Sequence, residues 1–104
     1  MSDLADRVYT LLKTVPRGRV TTYKALADAM GTKSYRAIGQ IMRTNPYAPQ
    51  VPCHRVVASD GTIGGFMGKK HGPTIQKKIA MLQKEGVAIE KNRMVNFPAI
   101  LHKF

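Results

Sequence analysis

The sequence predicts a mostly α, winged helix-turn-helix-like single domain spanning residues 1–104, with short β-hairpins. Three observations carry that expectation. Apolar residues recur at helical spacing in four stretches. A tight, glycine-containing turn joins two of those helices, as in a helix-turn-helix. Turn signals then bracket short runs rich in β-branched residues. With 104 residues, 43% of them hydrophobic, the chain suffices for one modest core and is too short for two.

The elements follow in order. Leu4, Val8, Leu11, Leu12 and Val15 share one helical face, and Pro16 stops that helix. Arg17-Gly18-Arg19 is a basic turn. Thr21 or Thr22 caps a second helix holding Ala25, Leu26, Ala29 and Met30, with Gly31 at its C-terminal cap. Ser34 caps a third helix whose Ile38, Ile41 and Met42 face inward, and Asn45-Pro46 ends it. Residues 46–54 hold three prolines and are irregular. Arg55 to Ala58 is expected as a strand, Ser59-Asp60-Gly61 as a turn, and Thr62-Ile63 as a returning strand. Gly64, Gly65 and Gly68 suggest close backbone approach. A fourth helix runs from Pro73 or Thr74 to Glu85, with Ile75, Ile79 and Leu82 inward and Gly86 after it. Val87–Ile89 and Met94–Phe97 are expected to pair as a small hairpin.

Charge narrows the partner. Seventeen Lys and Arg against six Asp and Glu give a formal net charge of +11, which points to a polyanion. No expected helix is uniformly basic on its polar face, which favours nucleic acid over a membrane surface. No apolar run approaches the ~18 residues of a membrane span, and the N-terminus lacks the pattern of a signal peptide. One cysteine permits neither an intrachain disulfide nor a thiolate zinc site. A cytoplasmic, monomeric protein without metal or cofactor is expected.

Two features carry chemistry. On the third helix, Arg36, Gln40 and Arg43 fall at i, i+4 and i+7 and form a basic, hydrogen-bonding face. An arbitrary helix with that pattern is usually a solvated one; within a helix-turn-helix on a strongly basic chain it reads as a DNA-contacting face. The second feature is Pro52-Cys53-His54-Arg55-Val56. A thiolate is a strong nucleophile, a histidine or arginine nearby favours it, and Pro52 stiffens the backbone that aims the sulfur. A lone cysteine is more often buried structure, and Cys-His adjacency in an extended chain points the two side chains apart. Glu85 breaks a local rule, because a carboxylate at the last turn of a helix opposes the macrodipole; taken alone it reads as an exposed surface acid.

Taken together, residues 4 to 90 resemble the C-terminal domain of 6-O-alkylguanine-DNA alkyltransferases, the methylated-DNA–protein-cysteine methyltransferases. The resemblance rests on Val51-Pro52-Cys53-His54-Arg55-Val56-Val57, on Thr22-Tyr23, on Arg36-Ala37-Ile38-Gly39, on Met42-Arg43-Thr44-Asn45-Pro46, and on Gly64-Gly65-Phe66 and Glu85-Gly86, all in the family's order. It implies that Cys53 accepts an alkyl group from guanine in double-stranded DNA, once per molecule and without a cofactor. It further implies that His54 acts as base through a bridging water, that Glu85 orients His54, and that Tyr23 gives a proton to the leaving guanine. Asn45 would hold the turn before the active-site loop. Arg36 would fill the stack behind a flipped nucleotide, with the third helix in the minor groove. Ala37 and Gly39 would allow that close approach, and Thr22, Gln40 and Arg43 would add DNA contacts. Met42, Pro52, Val56, Phe66, Met67 and Gly68 would line the base pocket.

Two other readings compete. Alkyltransferase-like proteins share the fold, bind lesions without transfer and typically carry tryptophan at the acceptor position, so Cys53 argues for transfer. A winged-helix regulator reading the major groove would explain the charge and leave Pro52-Cys53-His54-Arg55 without a purpose.

Overall fold

The computed structural model describes residues 3–47, 50–65 and 72–104. Helices α1 (Asp3–Leu12), α2 (Tyr23–Met30) and α3 (Tyr35–Arg43) pack on one another. A two-residue strand, β1 (Thr21–Thr22), precedes α2. A single 3-10 turn, Cys53–Arg55, leads into β2 (Val56–Val57). Helix α4 (Pro73–Lys84) packs against that 3-10 turn. A hairpin of β3 (Ile89–Glu90) and β4 (Arg93–Met94) and a short α5 (Phe97–Ile100) complete the chain.

The local chemistry explains the helix-turn-helix. The Thr22 side chain accepts the Ala25 N–H at 3.0 Å, which satisfies a donor that the first turn of α2 leaves open. Gly31 ends α2 at φ +69°, a left-handed conformation in which a side chain would be strained. Ser34 caps α3 by accepting from Ala37 N–H at 3.2 Å. Leu26 and Ile38 are both fully buried between these helices, and burial of that kind contributes about 1.5–3 kcal/mol per side chain. The opposite face of α3, with Arg36, Gln40 and Arg43, is exposed.

Five details depart from expectation. Helix α1 ends at Leu12, three residues early, because the chain tightens through Thr14 N–H to Leu11 and Val15 N–H to Leu12. Val15 is still buried, held by the turn instead of the helix. Arg55 belongs to the 3-10 turn, so the strand is only Val56–Val57. That strand does not fold back on Thr62-Ile63: it pairs in parallel with β1, Thr21 opposite Val56 and Thr22 opposite Val57. Both valines are fully buried and need cover on both faces, which a two-stranded hairpin does not supply. The turn at Asp60 does form, and Ala58 N–H meets Thr62 at 3.0 Å, but Thr62 bridges to Arg93 of the tail hairpin. That hairpin is shorter than expected, turning at Lys91 (φ +50°) and Asn92 (φ +63°) as a two-residue primed turn does. Helix α5 has no counterpart in the sequence reading; Val20 and Leu101 bridge beside it and dock the tail under β1.

Candidate active site

Cys53, the only cysteine, opens the 3-10 turn and is 5% exposed. It belongs to one buried cluster with Val51, Val56 and Met42, and Tyr23 and Lys78 lie within electrostatic reach of it. The 3-10 turn resolves the adjacency problem, since its backbone curls where an extended chain would send neighbouring side chains to opposite faces.

His54 is 3% exposed, and its Nε2 lies 2.9 Å from Glu85 Oε2. An ionised carboxylate only accepts, so Nε2 carries the hydrogen and Nδ1 is the basic nitrogen of the neutral ring. Burial lowers the His54 pKa from its ordinary 6.5, outweighing the hydrogen bond it donates to Glu85, which raises it. The ring is therefore neutral at pH 7 and able to accept a proton. Glu85 is the C-terminal cap of α4, and its side chain is 10% exposed, not the surface acid that its position suggests. Burial pushes its pKa up, but hydrogen bonds from Arg55 and His54 outweigh that and hold it below the usual value.

Arg55 completes this cluster, and its charge is spent. Its Nε and Nη2 donate to the two oxygens of Glu85 at 2.9 and 2.8 Å, and its Nη1 donates to the Val15 carbonyl at 2.8 Å. The expectation that Arg55 itself favours a thiolate at Cys53 does not fit this geometry: its partner is Glu85.

Asn45 is buried and splints the loop before the nucleophile. Its Nδ2 donates to the Val51 carbonyl at 2.9 Å, while its Oδ1 accepts the Tyr47 N–H at 2.9 Å. Tyr23, at the start of α2, reaches across to the glycine loop and donates to the Gly65 carbonyl at 3.4 Å. Burial raises its pKa, with the neighbouring Cys53 adding to the effect, so the hydroxyl keeps its proton.

Lys78 is a member of this centre that the sequence reading missed. It is fully buried on α4, and its Nζ donates to the carbonyls of Val56, Ile63 and Gly65 at 2.7, 2.6 and 3.0 Å. Burial lowers its pKa to about 7. Three acceptors match the three N–H bonds of an ammonium, so the side chain ties β2 to the glycine loop. A signal for it existed: residue 78 lies on the apolar face of Ile75, Ile79 and Leu82, where a lysine is out of place.

Helix α3 also carries the basic face expected from the sequence. Arg36, Gln40 and Arg43 are exposed, and Ala37 and Gly39 are half-buried among them. A side chain built at Gly39 would meet nothing within 4 Å, so internal packing does not require the glycine. Thr22 is placed differently. It is 5% exposed and its hydroxyl oxygen caps α2, which favours a capping role over the expected DNA contact. Phe66, Met67 and Gly68, expected in the base pocket, lie outside the described residues.

A family model described as "6-O-methylguanine DNA methyltransferase, DNA binding domain" matches residues 3–87. The chain belongs to that family. A methylated-DNA–protein-cysteine methyltransferase of Pyrobaculum aerophilum is 44% identical over 77 residues, covering 74% of this chain and 49% of the relative. A bifunctional methyltransferase/endonuclease of Picrophilus torridus is 38% identical over 94 residues, covering 88% of this chain and 30% of the relative. The chain thus spans half or less of these curated relatives. Among solved structures, S. pombe Atl1, in complex with damaged DNA containing O6-carboxymethylguanine, superposes with a TM-score of 0.85 at 30% identity, covering 100% of this chain and 98% of that one. The O6-methylguanine-DNA methyltransferase of Pyrococcus kodakaraensis gives a TM-score of 0.71 at 45% identity, over 84% of this chain and 48% of that one. Among the described residues no helix is long and apolar enough to cross a membrane.

Proposed function

We propose that this chain repairs alkylated guanine in double-stranded DNA by moving the alkyl group from the 6-oxygen to the Cys53 sulfur, once per molecule. The observation that carries the proposal is the hydrogen-bonded line from Glu85 to a neutral, buried His54 beside the only thiol. The Cys53 proton passes through a bridging water to His54 Nδ1. Sulfur attacks the alkyl carbon in line, the S–C bond forms and the C–O bond breaks. Tyr23 donates its proton to the departing guanine, which leaves more readily when neutral. Glu85 stabilises the imidazolium that results. The product is a thioether, which no group at the site is suited to cleave. The reaction calls on no metal or cofactor.

DNA binding falls to α3. Arg36, Gln40 and Arg43 face outward, and Ala37 and Gly39 leave the backbone open to close approach. Arg36 fills the gap left by the flipped nucleotide, whose extrusion costs a few kcal/mol. Met42 is the apolar wall of the pocket that receives the base, lined also by Pro52 and by backbone groups of Cys53 and Val56.

A second reading, lesion binding without transfer, has specific support: Atl1, whose structure holds damaged DNA, matches this chain over its whole length. Peptide mapping after incubation with DNA containing 6-O-methylguanine separates the two. Transfer places one methyl group on the Cys53 peptide and is lost in Cys53→Ala, with lesion binding retained. Tight lesion binding by the parent protein with no methylated peptide supports the non-enzymatic reading instead.

A further inference from the structure

Arg55 makes three hydrogen bonds in the centre, and the transfer chemistry proposed above gives it no task. Its guanidinium grips both oxygens of Glu85, Nε to Oε1 at 2.9 Å and Nη2 to Oε2 at 2.8 Å. Its remaining arm holds the Val15 carbonyl, just past the end of α1, at 2.8 Å. The oxygen gripped by Nη2 is the one that accepts from His54 Nε2 at 2.9 Å.

Three considerations make that fork functional. A glutamate has three rotatable side-chain bonds, so one hydrogen bond from an imidazole leaves the carboxylate free to turn. A planar guanidinium that binds both oxygens removes that freedom and sets the plane of the carboxylate. Glu85 also caps the C-terminal end of α4, where helix carbonyls repel a carboxylate, and a fixed cation offsets that repulsion. Finally, the Val15 arm anchors the guanidinium to a turn outside the site, so the clamp does not move with the group it clamps.

We infer that Arg55 is a positioning residue that acts through Glu85, holding its carboxylate in the one orientation that presents His54 Nδ1 toward Cys53. The charged and titratable groups facing this cluster are few. His54, Cys53 and Arg55 come from the 3-10 turn. Glu85, Lys84 and Lys78 come from α4, Lys78 bearing on His54 through its charge. Arg17, from the basic turn, is occupied by the Lys84 carbonyl at 2.8 Å. Among the described residues, the cation paired with the Glu85 carboxylate, apart from His54, is Arg55.

The inference rests on the alkyl-transfer reading, and a double-mutant cycle tests both separately. Single-turnover methyl transfer is measured for the parent, Arg55→Lys, Glu85→Gln and the double variant, at saturating and sub-saturating duplex. Arg55→Lys keeps the charge and loses the fork. The expected result is a fall of about tenfold in the saturating rate, with duplex affinity unchanged. In the Glu85→Gln background the same substitution is expected to cost less than about twofold, because the carboxylate it would orient is gone. Cys53 alkylation by iodoacetamide across pH, which needs no DNA, is expected to show the same non-additivity. Multiplying losses, or a loss confined to duplex affinity, overturns the inference. So does failure of Arg55→Lys and Arg55→Gln alike to fold, which assigns Arg55 to structure through Val15. No transfer by the parent defeats the alkyl-transfer reading instead, while the iodoacetamide cycle still reports whether Arg55 and Glu85 act as one unit.

Discussion

At the scale of single residues, burial and hydrogen bonds reinforce the charge states the site uses. His54 is neutral because burial lowers its pKa, and Glu85 is ionised because hydrogen bonds overcome burial. Transfer is therefore expected to persist below pH 6.5, the ordinary histidine value, and to fall only when the lowered His54 pKa is passed. Glu85→Gln is expected to keep duplex affinity, slow transfer and move the thiol's reactivity toward iodoacetamide to higher pH. Reactivity profiles of parent and variant check this, and identical profiles would remove Glu85 from the mechanism. Lys78 offers a second test, read in stability. Lys78→Met removes the donor from three carbonyls, of which that of Gly65 still accepts from Tyr23, so the loss falls on Val56 and Ile63 at about 1–3 kcal/mol each, and relief from burying a cation offsets part of this. A net loss of roughly 3 kcal/mol is expected from those opposing terms. The sign with pH also follows. Between about 7 and 10.5 the unfolded chain holds the Lys78 proton and the folded chain does not, so this group makes stability rise with pH across that window. Urea unfolding across the window is expected to show the rise in the parent and its absence in Lys78→Met. A parallel pH dependence in the two proteins would show that Lys78 does not titrate there.

At the scale of elements, α3 carries two functions on two faces. Ile38 and Met42 build the core, while the other face is open and basic. Gly39 separates the two demands. A glycine inside a helix costs about 1 kcal/mol relative to alanine, and nothing inside the molecule requires it. Gly39→Ala is therefore expected to raise stability by about 0.5–1 kcal/mol and to weaken duplex binding. Thermal unfolding and a duplex titration check both halves; unchanged affinity would take close backbone approach away from α3. How legible each element was follows from how local its determinants are. The caps Thr22, Ser34 and Gly31 act within a turn of their own helix; the sequence places Ser34 and Gly31 and narrows the third to Thr21 or Thr22, of which Thr22 caps. The partner of Val56–Val57 is set by long-range burial, and no local signal distinguishes Thr62-Ile63 from Thr21-Thr22. In the site, Cys53, His54, Asn45 and Tyr23 were legible through their motifs, and Glu85 also through its conflict with the helix dipole. Arg55 stood inside the most recognisable motif, yet its task depends on Glu85, thirty residues away. Lys78 was legible only as a lysine out of place on an apolar helix face.

At the scale of the whole molecule, a net charge of +11 on 104 residues and a single acceptor thiol define the account. Under the proposed function, the charge draws the protein to any duplex and the centre around Cys53 decides what happens at a lesion. Likeness to Atl1 over the full chain and to methyltransferases over part of their length leaves lesion binding common to both readings. Stoichiometry separates them. The direct measurement is repaired 6-O-methylguanine against protein, with methylated duplex in excess and the active fraction known. The account predicts that repair stops at one lesion per active protein, with the intact mass of every active molecule raised by one methyl group. Continued repair beyond that point, or bound lesion with an unchanged protein mass, would contradict it.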